Sequence, residues 1–256
     1  MAHTYDHPQY YEIAFSFRDI EAEVEVFEEC MRRFSTRPVQ RIIEVACGPS
    51  EHMLEFARRG YAYTGLDISE PMLAHSRTKA ERAGHTAAFV QSDMAEFSID
   101  APVDFAFVTL GSFYLSSTAA VLSHLAAMGR ALAPGGLYVL QWCMRYDWDQ
   151  AVRSVSRWEV TRDGVRVEVT WQGEKLVDRT EQVYQFRLHL EVDDAGTKYV
   201  LDDVSPMRVV FPQEFQLLLE KQGDFEYLGW WNNNDLEQPS PRLDPPDWPM
   251  TIIRRR

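Results

Sequence analysis

The chain has few cysteines, no long apolar run and a shortage of basic residues. Its three cysteines, Cys30, Cys47 and Cys143, are an odd number in 256 residues, which argues against a disulfide framework. No apolar run approaches the ~18 residues that a membrane span needs. The first residues show no charged region followed by an apolar one, so no secretion signal is visible. We therefore expect a cytoplasmic protein without a membrane partner.

Basic residues are outnumbered by acidic ones, 26 against 39, which gives a formal net charge of −13. A protein that binds nucleic acid normally needs a basic surface to neutralise phosphates. The one basic run here is Arg254 to Arg256, at the end of the chain. We expect no nucleic-acid partner and a small-molecule substrate instead. No convincing Ser-His-Asp or metal-ligand arrangement is present, so no metal is predicted.

The stretch from Arg41 to Ser69 is the most informative part of the sequence. An apolar run ends in a turn of small residues around Gly48, a helix-compatible segment follows, and a second apolar run closes on Asp67. Strand, tight turn, helix, strand and acid in this order indicate a nucleoside-binding βαβ unit, with the acid about 20 residues after the glycine to accept both ribose hydroxyls. The turn has one glycine and lacks the GxGxxG of a dinucleotide fold. The pattern therefore predicts an adenosine-type cofactor.

The details of this turn point to one family. Glu44, Ala46, Gly48 and Ser50 occupy the four defined places of the motif (D/E)xGxGxG, with alanine and serine in place of two glycines. On these residues the chain resembles the class I S-adenosylmethionine (SAM)-dependent methyltransferases. The resemblance implies SAM as cofactor and an α/β fold. That fold is a Rossmann-like, mostly parallel sheet of seven strands whose last hairpin is antiparallel.

Later segments follow the same family pattern in order. Ser69 is positioned to cap a helix that begins at Glu70. A third strand is predicted at Ala87–Val90, a fourth at Val103–Thr109, and a fifth after the Pro-Gly-Gly turn that ends at Gln141.

The resemblance also implies which residues hold the cofactor. Asp67 would bind the ribose, and Asp93 and Met94 would flank the adenine. Tyr5 and Tyr11 would close over the methionine end, and Arg18 is a candidate for its carboxylate. The full set of predicted cofactor-binding residues is Tyr5, Tyr11, Arg18, Glu44, Ala46, Cys47, Gly48, Asp67, Ile68, Met72, Asp93, Met94, Leu110 and Gly111.

After the fifth strand the pattern changes to alternation, as in Val165, Val167 and Val169, which predicts antiparallel hairpins. A small antiparallel β-sheet inserted here closes over the cofactor in small-molecule N-methyltransferases. In the segment from Tyr5 to Phe15 and the helix start from Phe211 to Phe215, the chain also resembles the dimethyltransferases of nucleotide-linked amino sugars, and more distantly glycine N-methyltransferase. The sheet would serve as a lid and pocket, as a platform for a homodimer, or as both.

Four regions are expected along the chain. Residues 1–36 form an N-terminal helical lid segment, 37–145 the SAM-binding core, 146–210 the antiparallel insert, and 211–256 a C-terminal helix and strands that complete the core sheet. Within the last region, the proline-rich stretch from Pro239 to Pro249 predicts an irregular loop.

Methyl transfer from a sulfonium is an in-line displacement, so the protein must position the acceptor and exclude water, and it needs a base only for a protonated acceptor. His189 has the opposite parity to Leu188 and Leu190 and is expected to point into a cavity. The predicted catalytic residues are His189, Tyr11 and Tyr146. The predicted acceptor-binding residues are Ser112, Phe113, Tyr114, Trp142, Tyr146 and His189.

We predict a methyltransferase that acts on nitrogen or oxygen of a small molecule. Two alternatives keep the cofactor but change the activity. One is a regulator that binds SAM or S-adenosylhomocysteine without catalysis. The other is an enzyme that cyclises the amino-acid moiety of SAM and releases 5′-methylthioadenosine.

Overall fold

The computed structural model of the chain describes residues 3–240, residue 244 and residues 246–256, with the side chains of residues 150 and 151 outside the description. The predicted irregular loop after Pro239 therefore lies partly outside the described residues. Two sheets organise the rest: a large mixed sheet and a separate antiparallel one.

The large sheet has eight strands: β1 (Arg41–Val45), β2 (Ala62–Asp67), β3 (Ala88–Gln91), β4 (Val103–Val108), β5 (Leu132–Gln141), β10 (Phe225–Asn232), β11 (Asp235–Pro239) and β12 (Met250–Arg255). Their order across the sheet is β11-β10-β12-β5-β4-β1-β2-β3. Strands β1 to β5 run parallel, whereas β12 pairs antiparallel with β5, and β10 pairs antiparallel with both β12 and β11. The predicted fold class is confirmed, and the structure adds β11 as a short edge strand.

Helices cover both faces of this sheet, because its central strands are apolar on both sides. Every residue of β4 is buried, with one apolar cluster around Phe27 and Phe107 and another around Leu125 and Phe215. A 3₁₀ helix precedes the α-helices at Thr4–Asp6. The α-helices are α1 (Pro8–Ala14), α2 (Ile20–Phe34), α3 (Met53–Arg58), α4 (Glu70–Ala83), α5 (Thr118–Ala131), α6 (Trp148–Arg153) and α7 (Pro212–Gln222).

Local sequence signals fix several of these boundaries. The Ser69 hydroxyl accepts a hydrogen bond from the Met72 N–H, as predicted for an N-cap, and Gly84 ends α4 in the left-handed conformation. Asp19 caps α2 by accepting from the Ala22 N–H. The short helix α6, which lies between β5 and the insert, was not predicted.

The inserted sheet has four antiparallel strands in chain order, β6 (Val155–Arg162), β7 (Val165–Asp178), β8 (Val183–Asp194) and β9 (Thr197–Arg208). One face is apolar and packs on α1, where Tyr10 and Ala14 are buried against Leu188, Leu190 and Leu201. The N-terminal segment is thus part of the packing of the insert.

None of the described helices is both long and apolar enough to span a membrane. The three cysteines are buried, and none of them forms a disulfide.

Candidate active site

The loops that follow β1, β2, β3 and β4 meet at the carboxyl edge of the parallel strands, where ligands bind in open α/β sheets. A cavity of about 340 Å³, here called the nucleoside cavity, lies at this edge. Tyr5 and Tyr11 of the N-terminal segment close one side, and Asp203 and Ser205 of β9 contribute from the insert. Core, N-terminal segment and insert therefore share one cavity.

Asp67 is held in place by backbone donors at the end of β2. The Gly48 N–H donates to Oδ2 at 2.7 Å, and the Ser69 N–H donates to Oδ1 at 2.8 Å. Burial raises the pKa of this carboxyl, while the backbone hydrogen bonds lower it. Each carboxylate oxygen can accept more than one hydrogen bond. Asp67 lines the nucleoside cavity and is therefore able to receive a pair of ribose hydroxyls.

The turn after β1 keeps an unusual backbone although it has a single glycine. Ala46, Gly48 and Ser50 all have positive φ, between 51° and 53°. A non-glycine residue in this region costs about 1–2 kcal/mol, so the surrounding structure must impose the conformation. The amide of Gly48 is thereby directed at Asp67, and Ala46 and Gly48 line the nucleoside cavity.

His124 supports the opposite end of this cavity, where Asp93 and Met94 lie. His124 is fully buried; its Nδ1 lies 2.7 Å from the carbonyl of Met94 and its Nε2 lies 3.0 Å from the hydroxyl of Tyr138. Burial lowers the pKa of His124 to about 4, so the ring is neutral at pH 7. It can then donate to Met94 and accept from Tyr138. The sequence did not assign this role to His124, because its two partners come from the loop after β3 and from β5.

A second, smaller space, the tail cavity, lies beside the turn after β1, between Tyr11, Arg18, Glu44, Gly48, Glu51 and Ser112. It is about 30 Å³ and continues the nucleoside cavity, since Tyr11, Ala46, Gly48 and Ser112 line both.

A buried ionic network stands behind the tail cavity. His52 is fully buried, with Nδ1 2.8 Å from Glu44 and Nε2 3.0 Å from Glu23. Burial lowers the pKa of His52, but its attraction to Glu44 and its hydrogen bonds to both carboxylates outweigh this and raise it overall. Arg18 pairs with Glu23 and lies 3.2 Å from His52. No sequence motif singled out His52 or Glu23, because the network joins α2 to the β1 turn only in three dimensions.

An aromatic cavity opens on the other side of Tyr11. Its walls include Phe15, Ser112, Tyr114, Trp142, Trp158 and Trp171. Beyond it an outer cavity of about 130 Å³ is lined by Trp142, Arg145, Tyr146 and Trp171. The guanidinium carbon of Arg145 lies 5.5 Å from the ring centre of Trp142 and 5.9 Å from that of Trp171, within cation–π range.

Most predicted site residues meet around these cavities, but four do not line them. Met72 is buried in α4, Phe113 packs edge-to-face on His124, and Gly111 lies against the Trp142 carbonyl. The prediction that His189 points into a cavity is wrong. Leu188 and Leu190 pack against α1 on the buried face of the insert, so His189 lies on the other face, beside Asp202 and Glu191.

Comparison with known proteins shows similarity in both domain and fold. Residues 42–136 match the family model described as a methyltransferase domain, and the overall fold is that of SAM-dependent methyltransferases. The predicted fold is confirmed, and the core of the chain carries a methyltransferase domain.

Individual relatives are more distant. The chain is 28% identical over 141 residues to dTDP-3-amino-3,4,6-trideoxy-alpha-D-glucopyranose N,N-dimethyltransferase of Streptomyces venezuelae, covering 53% of this chain and 56% of that protein. The chain spans 27% to 56% of the length of the curated relatives it matches. Among solved structures, it aligns with DesVI of Streptomyces venezuelae (TM-score 0.77, 21% identity, 98% of both chains). It also aligns with a SAM-dependent methyltransferase of Clostridium acetobutylicum (TM-score 0.76, 15% identity, 96% of both chains).

Proposed function

We propose that this protein is a SAM-dependent methyltransferase that transfers a methyl group to nitrogen, or to oxygen, of a small-molecule acceptor. One observation carries the proposal: the nucleoside, tail and aromatic cavities meet at the same two residues, Tyr11 and Ser112. A nucleoside would occupy the first cavity, and an amino-acid end would extend into the second. The third then holds the acceptor at the junction.

The residues present fit SAM. Asp67 would hold the ribose, and Asp93 and the Met94 backbone the adenine. Arg18 would meet the carboxylate of the amino-acid end. When bound, the cofactor supplies the activated methyl group. The protein's own contribution is to orient the acceptor and keep water out, for which the packed walls of Tyr5, Tyr11 and the insert are suited.

No strong base is required if the acceptor arrives neutral. The aromatic cavity offers hydroxyl groups, and burial raises the pKa of Tyr11 and raises that of Tyr114 to about 12. Both tyrosines are therefore neutral at pH 7 and act by hydrogen bonding. Burial likewise raises the pKa of Tyr146 in the outer cavity to about 12. We propose that Tyr11 orients the nucleophile and that Tyr146 and Trp142 hold the body of the acceptor.

The insert favours a compact acceptor over a nucleic acid. Two of its arginines are already paired with acids: Arg166 with Glu159 and Glu168, and Arg187 with Glu174 and Asp202. The net charge of −13 points the same way. We propose that the protein is cytoplasmic. We also propose the outer face of the insert as a candidate homodimer surface.

A turnover screen tests this proposal. The purified protein is incubated with SAM and a panel of amines and hydroxy compounds that includes nucleotide-linked amino sugars, and S-adenosylhomocysteine is measured by mass spectrometry. We expect acceptor-dependent S-adenosylhomocysteine that the Asp67→Ala variant does not form. Release of 5′-methylthioadenosine from SAM alone would assign the cyclising activity instead. Binding of SAM without turnover across the panel would favour the regulator.

A further inference from the structure

The wall of the tail cavity contains three charged side chains, and they differ in which atoms are already bonded. Both oxygens of Glu44 are engaged, one with His52 and the other with the Tyr63 hydroxyl. Arg18 uses Nε and Nη2 on Glu23. Glu51 is different: its Oε1 is buried and has no hydrogen-bond partner among the described residues.

Glu51 is close to a cation that another carboxylate already holds. Lys79 Nζ lies 3.7 Å from Glu51 Oε1 but 2.8 Å from Glu12 Oε1, and Glu12 also contacts His75 at 2.9 Å. The lysine therefore pairs more closely with Glu12 and leaves Glu51 a long ion pair, with the Glu12 carboxyl as a close neighbour. A buried acceptor atom without a hydrogen bond lowers the stability of the folded protein. A donor group on a ligand at this place would remove that penalty.

We propose that Glu51 receives the α-ammonium group of the cofactor's amino-acid end, opposite Arg18, which receives its carboxylate. The inference rests on the proposed SAM cofactor and adds a role for a residue that the methyltransferase motif does not specify. The ammonium has three donors, and the unpaired oxygen of Glu51 is an acceptor of opposite charge in the same small cavity. The two ends of a zwitterion thus meet two complementary charges.

The same geometry makes cofactor affinity depend on pH. Burial raises the pKa of Glu51 from 4.5 to about 7, with Lys79 lowering it and Glu12 raising it. The charged and titratable groups around it are Tyr11 and Glu12 of α1, Arg18 before α2, Glu44 of β1, His52 of the turn before α3, and Lys79 of α4; His75 of α4 acts through Glu12. A protonated Glu51 cannot pair with the ammonium, so apparent affinity scales with its ionised fraction. Binding of the amino-acid end should tighten as pH rises from about 6 to about 7.5.

Calorimetry with two probes separates this contact from the rest of the site. S-adenosylhomocysteine carries the amino-acid end, and 5′-methylthioadenosine shares the nucleoside but lacks it. Glu51→Gln keeps the shape and removes the charge. We expect it to weaken S-adenosylhomocysteine binding at least about tenfold near pH 7.5 and to change 5′-methylthioadenosine binding less than about twofold. We also expect it to abolish the tightening between pH 6 and 7.5.

Glu55→Gln is the matched control, because Glu55 lies on the adjacent helix and pairs with Arg58 and Arg59 away from the cavity. It should leave both affinities unchanged. Thermal melts of all variants report on folding, and Glu51→Asp, which keeps the charge, should recover part of the affinity and the pH dependence. Equal weakening of both probes by Glu51→Gln, or no weakening, overturns the inference while leaving the cofactor in place. A wild-type protein that binds neither probe overturns both proposals.

Discussion

At the scale of single residues, Asp67 is the best test of the nucleoside cavity. Its two oxygens already accept the Gly48 and Ser69 amides, so it is fixed before any ligand arrives. Asp67→Asn replaces one acceptor with an amide donor that opposes a backbone N–H. We expect S-adenosylhomocysteine affinity to fall at least about tenfold, which corresponds to ~1.4 kcal/mol. Titration calorimetry measures it, with Glu70→Gln, an exposed neighbour, as control. An unchanged affinity would mean that Asp67 only shapes the turn.

Glu51 should also lower the stability of the free protein above its pKa. Folding raises that pKa from 4.5 to about 7, so between these values the folded protein holds a proton that the unfolded chain has released. The free energy of unfolding contributed by this group therefore falls as pH rises through this window and stays low above it. We expect Glu51→Gln to be more stable than wild type at about pH 7.5. Near pH 4.5 the two should be equal. Urea denaturation at both pH values provides the measurement, and a less stable variant at pH 7.5 contradicts the shift.

The sequence could predict Asp67 but not the roles of Glu51 or His52. Asp67 follows from local order along the chain: strand, turn, helix, strand, acid. The state of Glu51 depends on Lys79 and Glu12, which come from two other helices, and His52 depends on Glu23 of α2. No local pattern reports such contacts, because their partners are set by how the helices pack.

At the scale of elements, the turn after β1 packs against β2 at Gly65, where only a small residue fits. A Cβ added at Gly65 would lie 2.8 Å from Cys47 Sγ and 3.1 Å from the Phe89 ring. We expect Gly65→Ala to lower the free energy of unfolding by about 1–3 kcal/mol, the cost of overpacking a core. Cys47→Ala removes the sulfur and should return part of that loss in the double variant. A double-mutant cycle by urea denaturation measures the coupling. Strictly additive effects would show that the clash lies with Phe89 alone.

The N-terminal segment, which the sequence predicted as a helical lid, is attached to two other parts of the molecule. Asp203 of β9 accepts from the Thr4 N–H, the Ser69 hydroxyl donates to the Tyr5 carbonyl, and Tyr10 donates to Asp194. These contacts join the segment to both the core and the insert. Removing residues 1–11 would expose the apolar face of the insert, so point variants of Tyr5 and Tyr11 are the cleaner test of a lid.

At the scale of the whole molecule, the sequence predicted the core strands in their order along the chain and the presence of an antiparallel insert. It did not predict how the insert faces the core. Alternation shows that Leu188 and Leu190 share a face and that His189 has the other, but not which face is covered. The packing of α1 decides it, and it places the leucines inside and the histidine outside. Orientation between two units depends on contacts that a single strand pattern does not contain.

Because the core, the N-terminal segment and the insert all line the nucleoside cavity, a bound nucleoside should stabilise them together. A ligand that binds only the folded state adds about 2.7 kcal/mol at 100 times its Kd. For a chain of this size that corresponds to a rise in Tm of about 5–10 °C. We expect S-adenosylhomocysteine to produce this rise in one cooperative transition by differential scanning calorimetry, and adenosine to produce less. Asp67→Asn should lose most of the shift. If the ligand raises the Tm of only one of two separate transitions, the insert does not share in binding. The acceptor-binding site would then have to lie in the core alone.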